Sequence, residues 1–127
     1  MADVNRGNRP LSPHLGIYRR QMTMITSILI RITGVALLVS TLLVVWWLLA
    51  AATSPEYFAF ANRVITSLPG DVVMTLSVLG LWYHLLGGVR HLIWDQAVML
   101  EIETAQKLGW TALIGSVVLT CITVALV

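Results

Sequence analysis

Three long apolar blocks separated by short polar seams organise this chain. Roughly 24 residues run without a charge between Arg31 and Glu56, roughly 18 between Asp71 and Arg90, and roughly 20 after Lys107, each near or above the length that crosses a ~30 Å hydrocarbon core. The pattern predicts an all-α integral membrane protein with three transmembrane helices, spanning about 25–52, 71–94 and 108–127. Residues 1–20 read as a polar, basic leading segment in which Pro10 and Pro13 disfavour a continuous helix. Residues 21–127 read as one three-helix transmembrane domain. The first helix is expected from near Gln21 to near Ala52, with Trp46 and Trp47 at the outer interface and Ser54-Pro55 as its stop. Residues 55–66 suit a short interfacial helix carrying Tyr57, Phe58 and Phe60. Pro69-Gly70-Asp71 reads as a turn, with Asp71 capping a second helix that runs to about Trp94.

Composition agrees with the pattern. Hydrophobic residues make up 57% of the 127 positions and charged residues 11%, too few charges to cover a soluble domain of this length. Arg6, Arg9, Arg19, Arg20 and Arg31 cluster at or before the first span, and Arg90 and Lys107 flank the second loop, whereas the first loop holds only Arg63. The positive-inside rule therefore puts the N-terminus and second loop in the cytoplasm or mitochondrial matrix and the C-terminus outside. The net charge of +2 is a topology signal, and no basic cluster points to nucleic acid. A cleavable signal peptide is not expected, because the apolar region behind the basic start is too long for one. Cys121, the single cysteine, cannot form an intrachain disulfide and suits helix packing.

Ionisable residues inside such spans are expensive and mark candidate sites. At ~100° per residue, Ser77, Gly80, Gly87, Gly88 and His91 fall within roughly 60° of His84, while Val78, Leu79, Trp82, Leu86, Val89 and Ile93 fall on the far side, suited to lipid. The small, polar stripe has a plain reading as helix-packing surface. Glycines around a bulky imidazole also fit a flat macrocycle, with the glycines clearing its face and His84 ligating iron. His91 lies ~10 Å along the same helix, so it cannot supply the second axial ligand. The first and third spans hold no histidine and His14 lies outside the membrane, so a six-coordinate haem needs a second subunit.

On the first helix, Thr23, Ser27, Arg31, Gly34 and Thr41 share a face. Arg31 alone reads as a snorkelling interfacial arginine. Together, Ser27 and Arg31 would offer a hydroxyl and a cation to a quinone head group, at the depth of Arg90, His91 and Asp95. Asp95 and His91 suit proton supply to that site, or equally an interfacial ion pair with Arg90 or Arg31.

Two stretches, Arg9-Pro-Leu-Ser-Pro-His14 with Ser27-x-x-x-Arg31-x-Thr33-Gly34, and His84-x-x-x-Gly88-x-Arg90-His91-x-x-Trp94-Asp95, closely resemble the cytochrome b membrane-anchor subunits of succinate dehydrogenase, respiratory complex II. The resemblance covers essentially the whole chain. It implies a multi-pass subunit of the bacterial inner or mitochondrial inner membrane that shares one haem b with a second small anchor subunit. By that likeness His84 is the haem axial ligand, and Ser27 and Arg31 contribute to the ubiquinone site; with no histidine at position 30, Arg31 and His91 are the residues of this chain expected to hold the haem propionates. Electrons would arrive from succinate through a flavoprotein subunit and an iron–sulfur subunit. The chain departs from the family at Ile30, where a histidine near the propionates and quinone pocket is usual. It carries no flavin fingerprint and no cysteine cluster, so by itself it is not expected to catalyse the reaction. The alternatives are the anchor of a quinol:fumarate reductase and a non-redox structural helper.

Overall fold

Apolar runs of hydrocarbon length fold as helices because only a helix or a closed barrel satisfies every backbone group within lipid. The computed structural model describes His14 and residues 16–127, and its elements are four helices: α1 Met22–Thr53, α2 Pro55–Ile65, α3 Leu68–Asp95 and α4 Ile102–Leu126. The Arg9–Pro13 stretch lies outside the described residues. At 1.5 Å per residue α1, α3 and α4 are about 48, 42 and 38 Å long, each more than a hydrocarbon core requires, and all three are apolar enough to cross one. The burial pattern is inverted relative to a soluble protein. Leu38, Leu42, Leu48, Leu76, Leu85 and Ile114 face outward, while the fully covered positions are mainly small or polar: Thr26, Ala50, Ala61, Arg90, Ala105, Ala112, Ser116 and Thr120. Small and hydroxylic residues at the contacts, with large apolar ones outside, are what close helix packing in lipid requires.

Ser54 makes the turn between α1 and α2. Its extended backbone ends α1, its hydroxyl accepts the Tyr57 N–H at 3.2 Å, and Pro55 opens the next helix. Glu56 follows in the first turn, where backbone hydrogen bonding and the Ser54 hydroxyl hold its carboxyl below the ordinary value. Helix α2 folds back along the end of α1: Trp46 Nε1 donates to Tyr57 Oη at 2.8 Å and Trp47 Nε1 to Asn62 Oδ1 at 3.2 Å.

The start of α3 corrects the sequence reading. Leu68-Pro69-Gly70 is helix, not a turn, and the cap is Ser67, whose hydroxyl accepts the Gly70 N–H at 3.3 Å, while Asp71 sits in the first turn. Proline is tolerated there because first-turn N–H groups have no intrahelical partner. Helix α4 begins six residues before the uncharged run, and the surplus carries the exposed Lys107–Glu103 pair at 2.7 Å.

The far side of α3 is also corrected. Trp82 Nε1 donates to Thr123 Oγ1 of α4 at 3.0 Å, and the Leu86 side chain lies over Gly115. With Val89 and Ile93, Leu86 lines a crevice of about 110 Å³ against Leu108, Thr111 and Ala112. That face packs on α4, whose buried stripe Ala105, Gly109, Ala112, Ser116 and Thr120 recurs every three or four residues. By sequence alone Trp82 and Leu86 suit lipid as well as they suit α4, because an adjoining helix and a lipid tail are equally apolar.

Gly70 sits where a Cβ would run into the carbonyl oxygens of Ile65 and Val64, which are backbone and cannot move aside. Gly70→Ala should therefore lower stability by about 1–3 kcal/mol, read as a fall in the thermal unfolding midpoint of the detergent-solubilised protein.

Candidate functional site

The seam between α1 and α3 is antiparallel and studded with polar contacts. Ser40 and Ser77 hydroxyls meet at 2.8 Å, Ile30 packs over Gly87, and Thr33 lies against Gly80. His84 is the centre of this seam. Its Nδ1 lies 3.1 Å from the Ile30 carbonyl oxygen and 3.3 Å from Thr33 Oγ1. A carbonyl can only accept, so the proton sits on Nδ1 and the lone pair on Nε2. Thr33 is consistent with this: its hydroxyl donates to the Leu29 carbonyl at 2.9 Å, leaving its oxygen free to accept. Gly34 completes the seat, since a Cβ there would come within 3.1 Å of the imidazole Cε1.

The glycines of the α3 stripe divide by use. Gly87 is occupied, because its absent Cβ would fall 2.7 Å from Ile30 Cδ1. Gly80 touches Thr33, but among the described residues nothing lies within 4 Å of a Cβ on Gly88. Helix packing accounts for Ser77, Gly80 and Gly87, whereas Gly88, one turn from His84, faces open space. Ile30 has a structural role, with the backbone carbonyl orienting His84 while the side chain fills the notch at Gly87.

Two flanks of the seam differ. On one, Thr26 meets Arg90 of α3 and a Cβ on Gly109 of α4 would lie 3.2 Å from its methyl, so this flank is filled by α4. By helical rotation Ser27, Arg31 and Gly34 point to the other flank of α1, and His84, Gly88, His91 and Asp95 to the other flank of α3. Arg31, His91 and Asp95 are exposed there, and Ser27 and His84 are half-buried. The sequence-predicted residues thus share one flank without bonding one another. His91 stacks edge-on against Trp94, with ring centroids 5.5 Å apart. Asp95 makes no ion pair among the described residues, and neither does Arg90, which is buried in the bundle.

Sequence reasoning missed Thr26 and Tyr83. Tyr83 Oη donates to the Thr26 carbonyl at 3.0 Å, and Arg90 Nη1 donates to the Thr26 hydroxyl at 2.8 Å. The available signal was a tyrosine beside His84 and a threonine beside Ser27, polar groups that need partners in hydrocarbon. Among the described residues no three metal-type side chains gather.

The sequence profile of a family described as succinate dehydrogenase/fumarate reductase transmembrane subunit matches residues 5–123. The chain is 54% identical to the succinate dehydrogenase cytochrome b556 subunit of Paracoccus denitrificans, over 97% of this chain and 95% of that one. It is 39% identical to the subunit of the same name from Rickettsia conorii, over 88% and 87%. A cytochrome b560 subunit of succinate dehydrogenase from Reclinomonas americana is 36% identical, over 84% and 77%.

The two glycines near His84 should respond oppositely to substitution. Gly34→Val pushes the ring off its carbonyl and should depress the unfolding midpoint. Gly88→Ala meets open space and should leave stability unchanged or raise it by up to ~1 kcal/mol through helix propensity.

Proposed function

The chain belongs to the succinate dehydrogenase/fumarate reductase transmembrane-subunit family, and from that membership we propose that it is a cytochrome b anchor holding one haem b jointly with a second small anchor subunit and helping to form a ubiquinone-reduction site. The observation that carries this reading is the His84 Nδ1–H committed to the Ile30 carbonyl. Metal-bound imidazoles characteristically donate their other nitrogen to a carbonyl or carboxylate, which fixes the ring and raises the basicity of the ligating atom. His84 Nε2 is the donor atom left over, and the open space at Gly88 suits a flat ring. Haem, when bound, supplies a one-electron centre whose potential depends on its axial ligands and the hydrogen bonds around them. Arg31 and His91 would hold its propionates from the same flank, the guanidinium through charge-assisted hydrogen bonds. A partner subunit would supply the remaining ligand to the iron.

Ser27 and Arg31 would present a hydroxyl donor and a fixed cation to the quinone oxygens, the cation favouring negative charge as it develops on reduction. His91 and Asp95 at the polar end of α3 would relay the protons that quinol formation consumes. The chain supplies neither flavin nor iron–sulfur ligands, so electrons from succinate would reach the quinone through a flavoprotein and an iron–sulfur subunit. The basic side, with the N-terminus and the α3–α4 turn, would face the cytoplasm or matrix. The relatives named succinate dehydrogenase favour that enzyme over a fumarate reductase. A purely structural helper would leave Gly88 and the His84 Nε2 lone pair without purpose.

In the purified membrane complex, His84→Ala should abolish the reduced-minus-oxidised cytochrome b bands, and Gly88→Leu should lower haem content while the subunit still inserts. Wild-type bands in His84→Ala would overturn the assignment. Arg31→Ala removes charge-assisted hydrogen bonds of ~1.5–3 kcal/mol, so quinone reduction should fall about tenfold or more. Unchanged haem content and quinone turnover would remove Arg31 from the site.

A further inference from the structure

Arg90 is a charged side chain with only 6% of its surface exposed, inside a bundle where such a charge is expensive. No carboxylate pairs with it among the described residues. Its partners come from three directions: the Thr26 hydroxyl of α1 accepts from Nη1 at 2.8 Å, the Ala105 carbonyl of α4 accepts from Nη2 at 3.2 Å, and the Trp94 ring lies 4.0 Å from the guanidinium carbon. Nε is buried without a partner. One planar fork therefore joins all three long helices, and Trp94 carries the connection onward to the Met99 carbonyl in the α3–α4 turn.

Thr26 is held twice. Arg90 takes its hydroxyl, and Tyr83, two turns earlier on the same α3 stripe, takes its carbonyl at 3.0 Å. In a regular helix that carbonyl also accepts the Ile30 N–H, and the Ile30 carbonyl in turn orients His84. Tyr83 and His84, adjacent on α3, thus grip α1 carbonyls one turn apart. Thr26 is also the neighbour of Ser27. Any slide or rotation of α1 against α3 would move Ser27, the Ile30 carbonyl and Arg31 together relative to His84.

We propose that Arg90 is a positioning residue, whose bond to Thr26 sets the register in which α1 delivers Ser27, Arg31 and the Ile30 carbonyl to His84. It works from the α4 flank and touches neither haem nor quinone, and the inference rests on the haem and quinone reading of the opposite flank. Arginine is needed because a lysine has no planar fork to reach two helices and stack on an indole at once.

The test uses the assembled complex. Thr26→Val removes the hydroxyl acceptor while keeping shape and leaving the Arg90 charge in place. It should retain haem, raise the quinone KM several-fold with a smaller change in kcat, and shift the low-spin haem EPR signal. Arg90→Lys should move the same readouts, and adding Thr26→Val to it should contribute less than half of its effect alone, since one bond is lost in both. A Thr26→Val complex with wild-type KM and EPR signal would overturn the proposal, as would additive effects in the double variant. Should Arg90→Lys fail to assemble, Thr26→Val decides alone. A wild-type complex lacking cytochrome b bands would defeat the haem reading before any variant is made, so the two failures are distinct.

Discussion

A polar atom within hydrocarbon has no water to turn to, and the α1–α3 seam is organised by that demand. His84 meets it with the Ile30 carbonyl, Ser77 with Ser40, and Tyr83 with the Thr26 carbonyl. Each bond is individually modest, about 1 kcal/mol. Their collective effect is geometric, because helices in lipid lack a hydrophobic drive toward one register and these directional contacts supply one. The same bond that satisfies His84 also selects its tautomer. Stability and the chemical readiness of Nε2 therefore share one cause.

The seam is lopsided, and the lopsidedness sets the proposed site apart from the chain's own packing. Helix α4 closes one flank through small residues: Ala105, Gly109, Ala112, Ser116 and Thr120 let it approach closely, and Trp82 and Leu86 of α3 fill the remaining space. On the other flank none of the described residues covers Gly88, and Arg31, His91 and Asp95 stand exposed. An ionisable, glycine-bearing flank is unstable against bare lipid. A haem and a partner subunit would cover it, on the side of the helices opposite the chain's own packing.

Arg90 and Arg31 show how one residue type takes two roles by rotation alone. Both lie at the polar end of the seam, linked in depth by the Thr26–Arg90 bond. Arg90 turns toward α4 and is consumed by protein acceptors, whereas Arg31 turns outward, where a quinone or propionate oxygen would meet it. Ile30 serves the seam twice, because its backbone carbonyl meets His84 whatever the side chain, and its side chain fits over Gly87.

Hydropathy and spacing were enough to read three membrane helices, the short α2, and a stripe through His84, Gly88 and His91, because length, period and the rarity of charge are properties of the chain itself. The family likeness rested on the same residues, His84, Arg90, His91 and Asp95 with Ser27 and Arg31. Where α4 packs was not legible, since a neighbouring helix and a lipid tail look alike to Trp82 and Leu86. The cap at Ser67 was missed because Pro69 signals a turn and a helix start equally well. The acceptor for His84 is a backbone carbonyl, which every residue has, so only the relative register of α1 and α3 could identify Ile30. Residue types declared which groups would need partners in the membrane, and three-dimensional packing decided which partners they found and left Gly88 on the flank that α4 does not cover.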